Sequence, residues 1–438
     1  MGTYLNRTPS SAGNRGIWTV SCWIKKSNPT HRTVLFGTPG SDNNSTMQFI
    51  LHQDSGVRFG VNSFNVFTTT NTFLMRDPSS WYHLVLSINT SEGSSDNRTK
   101  FYINGERFTN FDGNNLNSIT NGFQYGWNNT IAHTIGAEPT PADYMDGYIT
   151  NFVNIDGQAL GPSSFGETDS TTGEWKPKAD LSGLTFGTNG FWQKYESAGN
   201  LGLDSSGNSN TYTVNNAGTG AQAVDTASNN FCTLSPLSQG ADSTLTKGNL
   251  EIAYGNSTRT CSTANMGVSS GKWYWEFKTT AISASPNPVM VGIGELPYGP
   301  DLGTYLGQNA SGWGYAGEDG TVYNSGSGSA YGDTYTTGDI IGVAFDADNG
   351  NLYFYKNGTI QNSGTAAATG LTSSSTGFYY PAVGKSSGVR TFTAQANFGN
   401  PPFTIASGNA DANGFGNFEY AVPSGYYALC TKNINSYG

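Results

Sequence analysis

Two short stretches hold the residue types best suited to grip a ligand. "FQYGWNN" sets Phe123, Tyr125 and Trp127 ahead of two asparagines, and "GWGYAGEDGTVYN" carries Trp313, Tyr315 and Tyr323. Tyr298 and Tyr305 lie in the Gly/Pro-rich run before the second stretch. An aromatic face beside Asn and Asp suits a sugar, whose C–H face stacks on a ring while its hydroxyls bond to the amides and carboxylates. The same residues suit a flat protein interface. Tyr125, Trp127, Tyr298, Tyr305, Trp313, Tyr315 and Tyr323 are therefore the expected ligand-binding residues, with burial in a core as the competing role.

Catalytic groupings are scarce. A retaining glycosidase needs two carboxylates about 5–5.5 Å apart, and Asp346-x-Asp348 has the spacing for one face of a strand. It runs into Asn349-Gly350, however, where Asp is the expected strand-to-turn residue. Glu276 in "WYWEF" reads as a solvent-face or edge residue. His83 sits between aromatic and apolar neighbours in "WYHLVL", a setting for packing, and His31, His52 and His133 are isolated. No Ser/His/Asp or Cys/His grouping emerges. Cys22, Cys232, Cys261 and Cys430 are far apart with no C-x-x-C, which reads as buried free thiols. No catalytic residue, and no enzyme, is expected.

Composition narrows the partners. The net charge is −10 and the longest basic cluster is Lys25-Lys26. Such a chain is repelled by phosphate backbones, so no nucleic-acid binding is expected. No apolar run approaches the roughly 20 residues of a membrane span, so no membrane insertion is expected. The start, "MGTYLNRTPSSAGNRGIWTV", has no apolar stretch after Arg7 and Arg15, unlike a signal peptide, and Asn6 breaks the myristoylation pattern. Sequons at Asn6, Asn44, Asn97, Asn256 and Asn357 are chance products of an Asn/Ser/Thr-rich chain.

The elements that must hold these residues are strands. Charged residues make up only 12% of the 438, while aromatics reach 13% and there are 58 glycines. Disordered chains lack such aromatics. "WTVSCWIKK" alternates Trp18, Val20, Cys22 and Ile24 against Thr19, Ser21 and Lys25. "WYHLVLSIN", "KFYINGERF", "GKWYWEFKTT" and "PVMVGIGE" continue the rhythm, and no segment holds a helical apolar period. In "GDIIGVAFDADNGNLYFYKNG" a two-residue Asn349-Gly350 turn would pair Phe345 with Phe354 and Asp346 with Tyr353. Asn104-Gly105 and Asn357-Gly358 are further tight-turn signals. Residues 161–230 are poorer in apolar positions and read as a partly ordered connector packed on its neighbours.

These strings carry a likeness. "GKWYWEF", "VGIG", "GWGY", "GDIIGVAFDADNGNLYFYKNG", "YYPAVG" and "ANFGNPPF" occur in the order and spacing of a SPRY domain, which implies that Trp313 belongs to the sandwich core. "WTVSCWIKK", "WYHLVLSIN", "KFYINGERF" and "MDGYITNFVNIDGQAL" resemble a concanavalin A-like, laminin G-type sandwich. That resemblance also implies a calcium ion between loops, for which Asp146 and Asp204 are the acids on offer, unless they cap their own turns. No other cofactor is implied. The string from "YLNRTPSSAG" through "MDGYITNFVNIDGQALGPSSFGE" and "GLDSSGNSNTYTVNN" to "NNFCTLSP" resembles a mosaic of tailed, especially marine, bacteriophages, where such proteins are virion components. The likeness begins at Tyr4, so attachment to the particle is expected to use the sandwiches or connector.

The expected architecture is all-β: two concanavalin A-like jelly-roll sandwiches, at 1–160 (laminin G-type) and 231–438 (SPRY-like), joined by a partly structured connector at 161–230. The expected role is a non-enzymatic virion structural protein, made in the host cytoplasm and placed on the particle exterior. It would present sandwich loops to a host-surface polysaccharide as a tail-associated fibre or receptor-binding component. A capsid decoration protein binding other virion proteins is the alternative, and a polysaccharide depolymerase a third. Multiple copies or a symmetric homo-oligomer are expected on the particle.

Overall fold

The computed structural model describes residues 2–438 except 41–45, 55, 63, 70, 141, 219, 284, 296–303 and 373. The chain divides into two compact units, Met1–Gln222 and Ala223–Gly438, each an all-β sandwich.

In the first unit an eight-stranded and a six-stranded sheet face each other. The central strand of the smaller sheet, Ile17–Lys26, pairs antiparallel with Tyr82–Asn89 on one side and Gly147–Asp156 on the other. Its Trp18, Val20, Cys22 and Ile24 enter the core between the sheets with Phe36, Phe49, Phe59 and Phe101. Alternation predicts a polar outer face for this strand, yet Thr19, Ser21, Trp23 and Lys25 are buried as well. Residues after the Gly147–Asp156 strand fold back over the Thr19 end of this face, while the Lys25 ammonium lies over the rings of Trp81 and Tyr148. Thr19 Oγ1 donates to the Gln158 carbonyl and accepts from the Leu160 N–H, both at 2.8 Å. Phe165, Leu181 and Phe186 pack on Val85, Val153 and Ile155 in a second small core.

Residues 161–222, read above as most of a connector, are thus built into this unit. Phe191–Gln193 extends the six-stranded sheet beside Gly147–Asp156, and Thr213–Asn215 pairs with Tyr4–Arg7 at the edge of the other sheet. The reason is physical: a sheet with two apolar-bearing faces needs a second cover, and this segment supplies Phe165, Leu181, Phe186 and Trp192.

The second unit repeats the plan. Lys272–Ile282 is flanked by Phe392–Asn397 and Ile340–Asp346, and it faces a sheet centred on Val289–Gly294. Trp273, Trp275, Phe277, Val343, Phe345, Leu352 and Phe354 fill the space between. The opposite face of Lys272–Ile282 carries Tyr274, and it too is covered, by Phe231, Phe418, Ala428 and Cys430.

The hairpin at 340–356 differs from the expected register by two residues. Phe345 pairs with Leu352, Val343 with Phe354 and Asp346 with Asn351. The turn is a four-residue Ala347–Gly350 loop in which only Gly350 has a positive φ, +66°. Asp346 closes it by accepting the Asn349 N–H at 3.0 Å and the Asn349 amide at 2.9 Å. An aspartate that caps the turn makes the tighter left-handed pair unnecessary. An even shift preserves the faces, so Phe345 and Leu352 still reach the core. Asn104-Gly105 and Asn357-Gly358 do form two-residue turns, with φ of +47°/+88° and +48°/+80°.

Candidate recognition surface

The aromatic residues singled out by composition separate into core and surface. Tyr125 and Trp127 are fully buried in the first unit. The Tyr125 ring meets Trp18 edge-on at 5.4 Å, and Trp127 lies 5.1 Å from Phe36. The Trp127 indole N–H donates to Asn154 Oδ1 at 2.9 Å. Both were expected to face a ligand; they are core residues instead, because the segment bearing them plugs the space between the sheets. Phe123 packs against the same core. Asn128, next to Trp127, also turns inward. Asn154 donates to Asn128 Oδ1 at 2.9 Å, and Asp156 accepts from the Asn128 amide at 3.3 Å and from the Asn189 N–H at 2.8 Å.

In the second unit Tyr315 is likewise buried, held by a hydrogen bond to the Asp333 carbonyl and 5.0 Å from Phe354. Tyr298 lies outside the described residues. Trp313 is half-buried at the core's edge, 5.9 Å from Tyr379 and pointing to the inner side of its strand.

Tyr305 and Tyr323 remain as an outward pair. Tyr323 stands opposite Gly314 in the Gly312–Ala316/Thr321–Asn324 ladder, on the face away from Tyr315 and Trp313. Tyr305 meets it edge-on with ring centres 5.8 Å apart. Two glycines allow this approach. A Cβ on Gly314 would stand 2.5 Å from the Leu306 carbonyl, and one on Gly307, whose φ is +92°, 2.2 Å from the Tyr323 carbonyl. Arg259, exposed, lays its guanidinium 5.4 Å from the Tyr305 ring centre. The Tyr323 hydroxyl donates to Asp319 at 2.7 Å, which pushes its pKa up to about 12 and keeps it a neutral donor. The patch therefore offers two aromatic edges, a guanidinium and a carboxylate within one face. Sequence reading missed Arg259, which precedes Tyr305 by dozens of residues and is joined to it only by strand order.

The groups weighed for catalysis are engaged elsewhere. Asp346 pairs with Lys272 at 2.9 Å, and Asp348 accepts the Gly271 N–H at 2.7 Å. Glu276, expected at a solvent face or edge, is 0% exposed. Its carboxylate accepts the N–H groups of Glu419 (3.1 Å) and Tyr420 (2.9 Å) and the Asn397 amide (3.0 Å). Burial raises its pKa to about 6 against those hydrogen bonds. Sequence alternation placed Glu276 beside Tyr274 on the outer face; it could not show that residues 415–430 cover that face.

His83 does contact a serine, Ser21, with Nε2 and Oγ 2.8 Å apart. Its Nδ1, however, accepts the Trp175 indole N–H at 2.9 Å, so Nε2 carries the proton and donates to Ser21. An imidazole in that tautomer cannot take the serine's proton. Burial also drives the His83 pKa down to about 3, and its ring stacks on Trp23 at 4.5 Å. This is packing chemistry. The four cysteines are free and buried.

The calcium implied by the laminin G-type resemblance does not fit the residues present. Both oxygens of Asp204 are spent on its own loop and its neighbour, accepting from the N–H groups of Trp192, Ser206 and Asn210 at 2.8–3.0 Å. Burial raises the Asp146 pKa against the pull of the Lys26 charge, which disfavours the bare carboxylate a calcium ion would take. Among the described residues no three His, Cys, Asp or Glu side chains gather in a metal-binding group.

Comparison with known proteins locates both sandwiches. Residues 2–163 match the concanavalin A-like lectin/glucanases superfamily, and residues 272–400 match the SPRY domain. Ran-binding protein 9 of Xenopus tropicalis is 31% identical over 169 residues, which are 37% of this chain and 29% of that protein. The E3 ubiquitin-protein ligase RKP of Arabidopsis thaliana is 32% identical over 150 residues, 32% of this chain and 10% of that one. The chain thus spans less than a third of the length of these relatives. The SPRY domain of human HERC1 aligns with a TM-score of 0.32 and 19% identity over 37% of this chain and 96% of that structure.

Proposed function

We propose, for a chain that joins a concanavalin A-like domain to a SPRY domain, a non-enzymatic binding role on the outside of a tailed-phage particle. The protein is a virion structural component that presents sandwich surfaces to a host-surface polysaccharide, as part of a tail-associated fibre or receptor-binding assembly. The observation that carries the binding half is the outward Tyr305–Tyr323 pair with Arg259 and Asp319. Two rings present C–H and π contacts to a pyranose, while the guanidinium and carboxylate supply charged donors and acceptors for its hydroxyls. The virion half is supported by the nearly full-length phage-like mosaic of the sequence. The absence of enzymatic function is part of the proposal: the acids weighed for hydrolysis are each committed to a structural partner.

A glycan array of host polysaccharides read with the intact protein tests this. Saturable binding that Tyr323→Ala and Arg259→Ala abolish, in variants that melt like the parent, supports an adhesin. Silence on glycans, with binding to particles that lack the protein and symmetric placement in electron micrographs, would establish the decoration role instead. Release of reducing ends from the polysaccharide would make it a depolymerase.

A further inference from the structure

The second unit holds two tyrosine rings face to face. Tyr427 sits in the short Tyr427–Ala428 strand, which pairs in parallel with the start of Lys272–Ile282, and Tyr437 closes the Thr431–Tyr437 helix. Their ring centres are 3.9 Å apart and their planes 8° from parallel. Aromatic pairs ordinarily keep their centres about 4.5–7 Å apart, offset or edge-on, because stacked negative faces repel. The five other tyrosine–tyrosine pairs in ring contact among the described residues do so, with centres at 5.4–6.3 Å and planes inclined by 43–86°.

Neighbouring side chains hold the stack. Asn433 is fully buried, and its amide donates to Asp411 at 2.7 Å and to the Ala428 carbonyl at 2.8 Å, which ties the helix to the residue after Tyr427. Tyr437 stands one turn later on the same helix face, so this anchor delivers its ring onto that of Tyr427. The Asn413 amide donates to Asn433 Oδ1 at 2.8 Å and to the Tyr437 hydroxyl at 3.3 Å. The rings are still open to solvent: Tyr437 is 38% exposed and Tyr427 half-buried. The four cysteines are buried and free, so no disulfide secures this segment.

We infer that Tyr427 and Tyr437 form an oxidative cross-linking site, at which hydrogen peroxide and a peroxidase join the helix to the strand as a dityrosine. Each phenol gives up one electron and its hydroxyl proton. The two phenoxyl radicals couple through ortho ring carbons (a Cε of each), forming one C–C bond. The hydrogen on each bonded carbon then moves to its oxygen and restores both phenols. The two electrons and two protons released reduce one peroxide to two waters. Stacking makes the coupling intramolecular, so it outruns encounter between chains. The bond closes the 427–437 segment on itself and holds it against Lys272–Ile282.

The test treats the full chain, at low concentration, with hydrogen peroxide and a peroxidase. A monomer lighter by two hydrogens is expected, with dityrosine fluorescence and a proteolytic fragment that joins 427 to 437. Tyr427→Phe and Tyr437→Phe keep both rings, and each is expected to lose that fragment. Amide exchange in 431–438 should slow on oxidation in the wild type alone. A chain that keeps its original mass, while N-acetyltyrosine in a parallel reaction is coupled, overturns the inference. So does a cross-link that joins other tyrosines or two chains, or fluorescence undiminished in the Phe variants.

Discussion

Glu276, in the middle of a central strand, accepts the backbone N–H of Tyr420 at 2.9 Å, across 144 positions of sequence. One buried carboxylate thus fastens the carboxy-terminal segment to the outer face of the second sandwich. Glu276→Ala leaves the N–H groups of Glu419 and Tyr420 and the Asn397 amide without their acceptor. At about 1–3 kcal/mol for each buried group left unpaired, the variant is expected to lose at least ~2 kcal/mol. The readout is amide exchange, which should rise first in 415–430.

The same carboxylate makes stability depend on pH. Its folded pKa, about 6, lies above the ordinary glutamate value of 4.5. A raised carboxylate pKa favours the folded state where the group is protonated. The advantage is complete below about pH 4.5 and lost as pH rises through about 6. A shift of this size is worth ~2 kcal/mol. The stability difference between the wild-type protein and Glu276→Gln, measured by urea unfolding, is expected to move by that amount against the wild type between pH 4 and 7. A difference that stays flat would remove Glu276 as the titrating group.

Trp127→Ala and Tyr323→Ala should behave oppositely. Trp127 is fully buried against Phe36, so its truncation leaves a cavity and costs about 3–5 kcal/mol. Tyr323 is half-buried on an outer face, and its truncation should change the melting temperature little. Thermal melts of the two variants, set beside glycan binding, separate a packing role from a recognition role.

Gly307→Ala tests how the aromatic pair is positioned. The φ of +92° strains any other residue, and the new methyl would stand 2.2 Å from the Tyr323 carbonyl. The Tyr305 segment must lift from the sheet. Glycan affinity is expected to fall by roughly tenfold or more, the consequence of ~1.4 kcal/mol, with most of the stability retained.

Trp175→Ala probes the cover of the first sandwich. Its indole donates to His83 at 2.9 Å and lies so close to Gly166 that a Cβ there would be 2.6 Å away. Losing this contact should expose the Gly166–Thr168/Trp175–Pro177 hairpin to limited proteolysis while the inner core stays folded. Cleavage elsewhere at an unchanged rate would show that the hairpin is held by other contacts.

The strand rhythm of "WTVSCWIKK" and "GDIIGVAFD" determined which residues share a face, and Asn104-Gly105 and Asn357-Gly358 announced their turns, because backbone pleat and left-handed φ are local properties. The sandwich class followed from these. Whether a face meets water was decided elsewhere. Residues 158–192 cover one sheet and residues 415–430 another, so Thr19, Tyr274 and Glu276 are buried on faces that alternation leaves open. Trp127 and Tyr315 lie in the cores between the facing sheets, while Tyr305, Tyr323 and Arg259 came together through strand order alone. Periodicity is written into each strand; burial is a relation between segments far apart in the chain, and only their packing sets it.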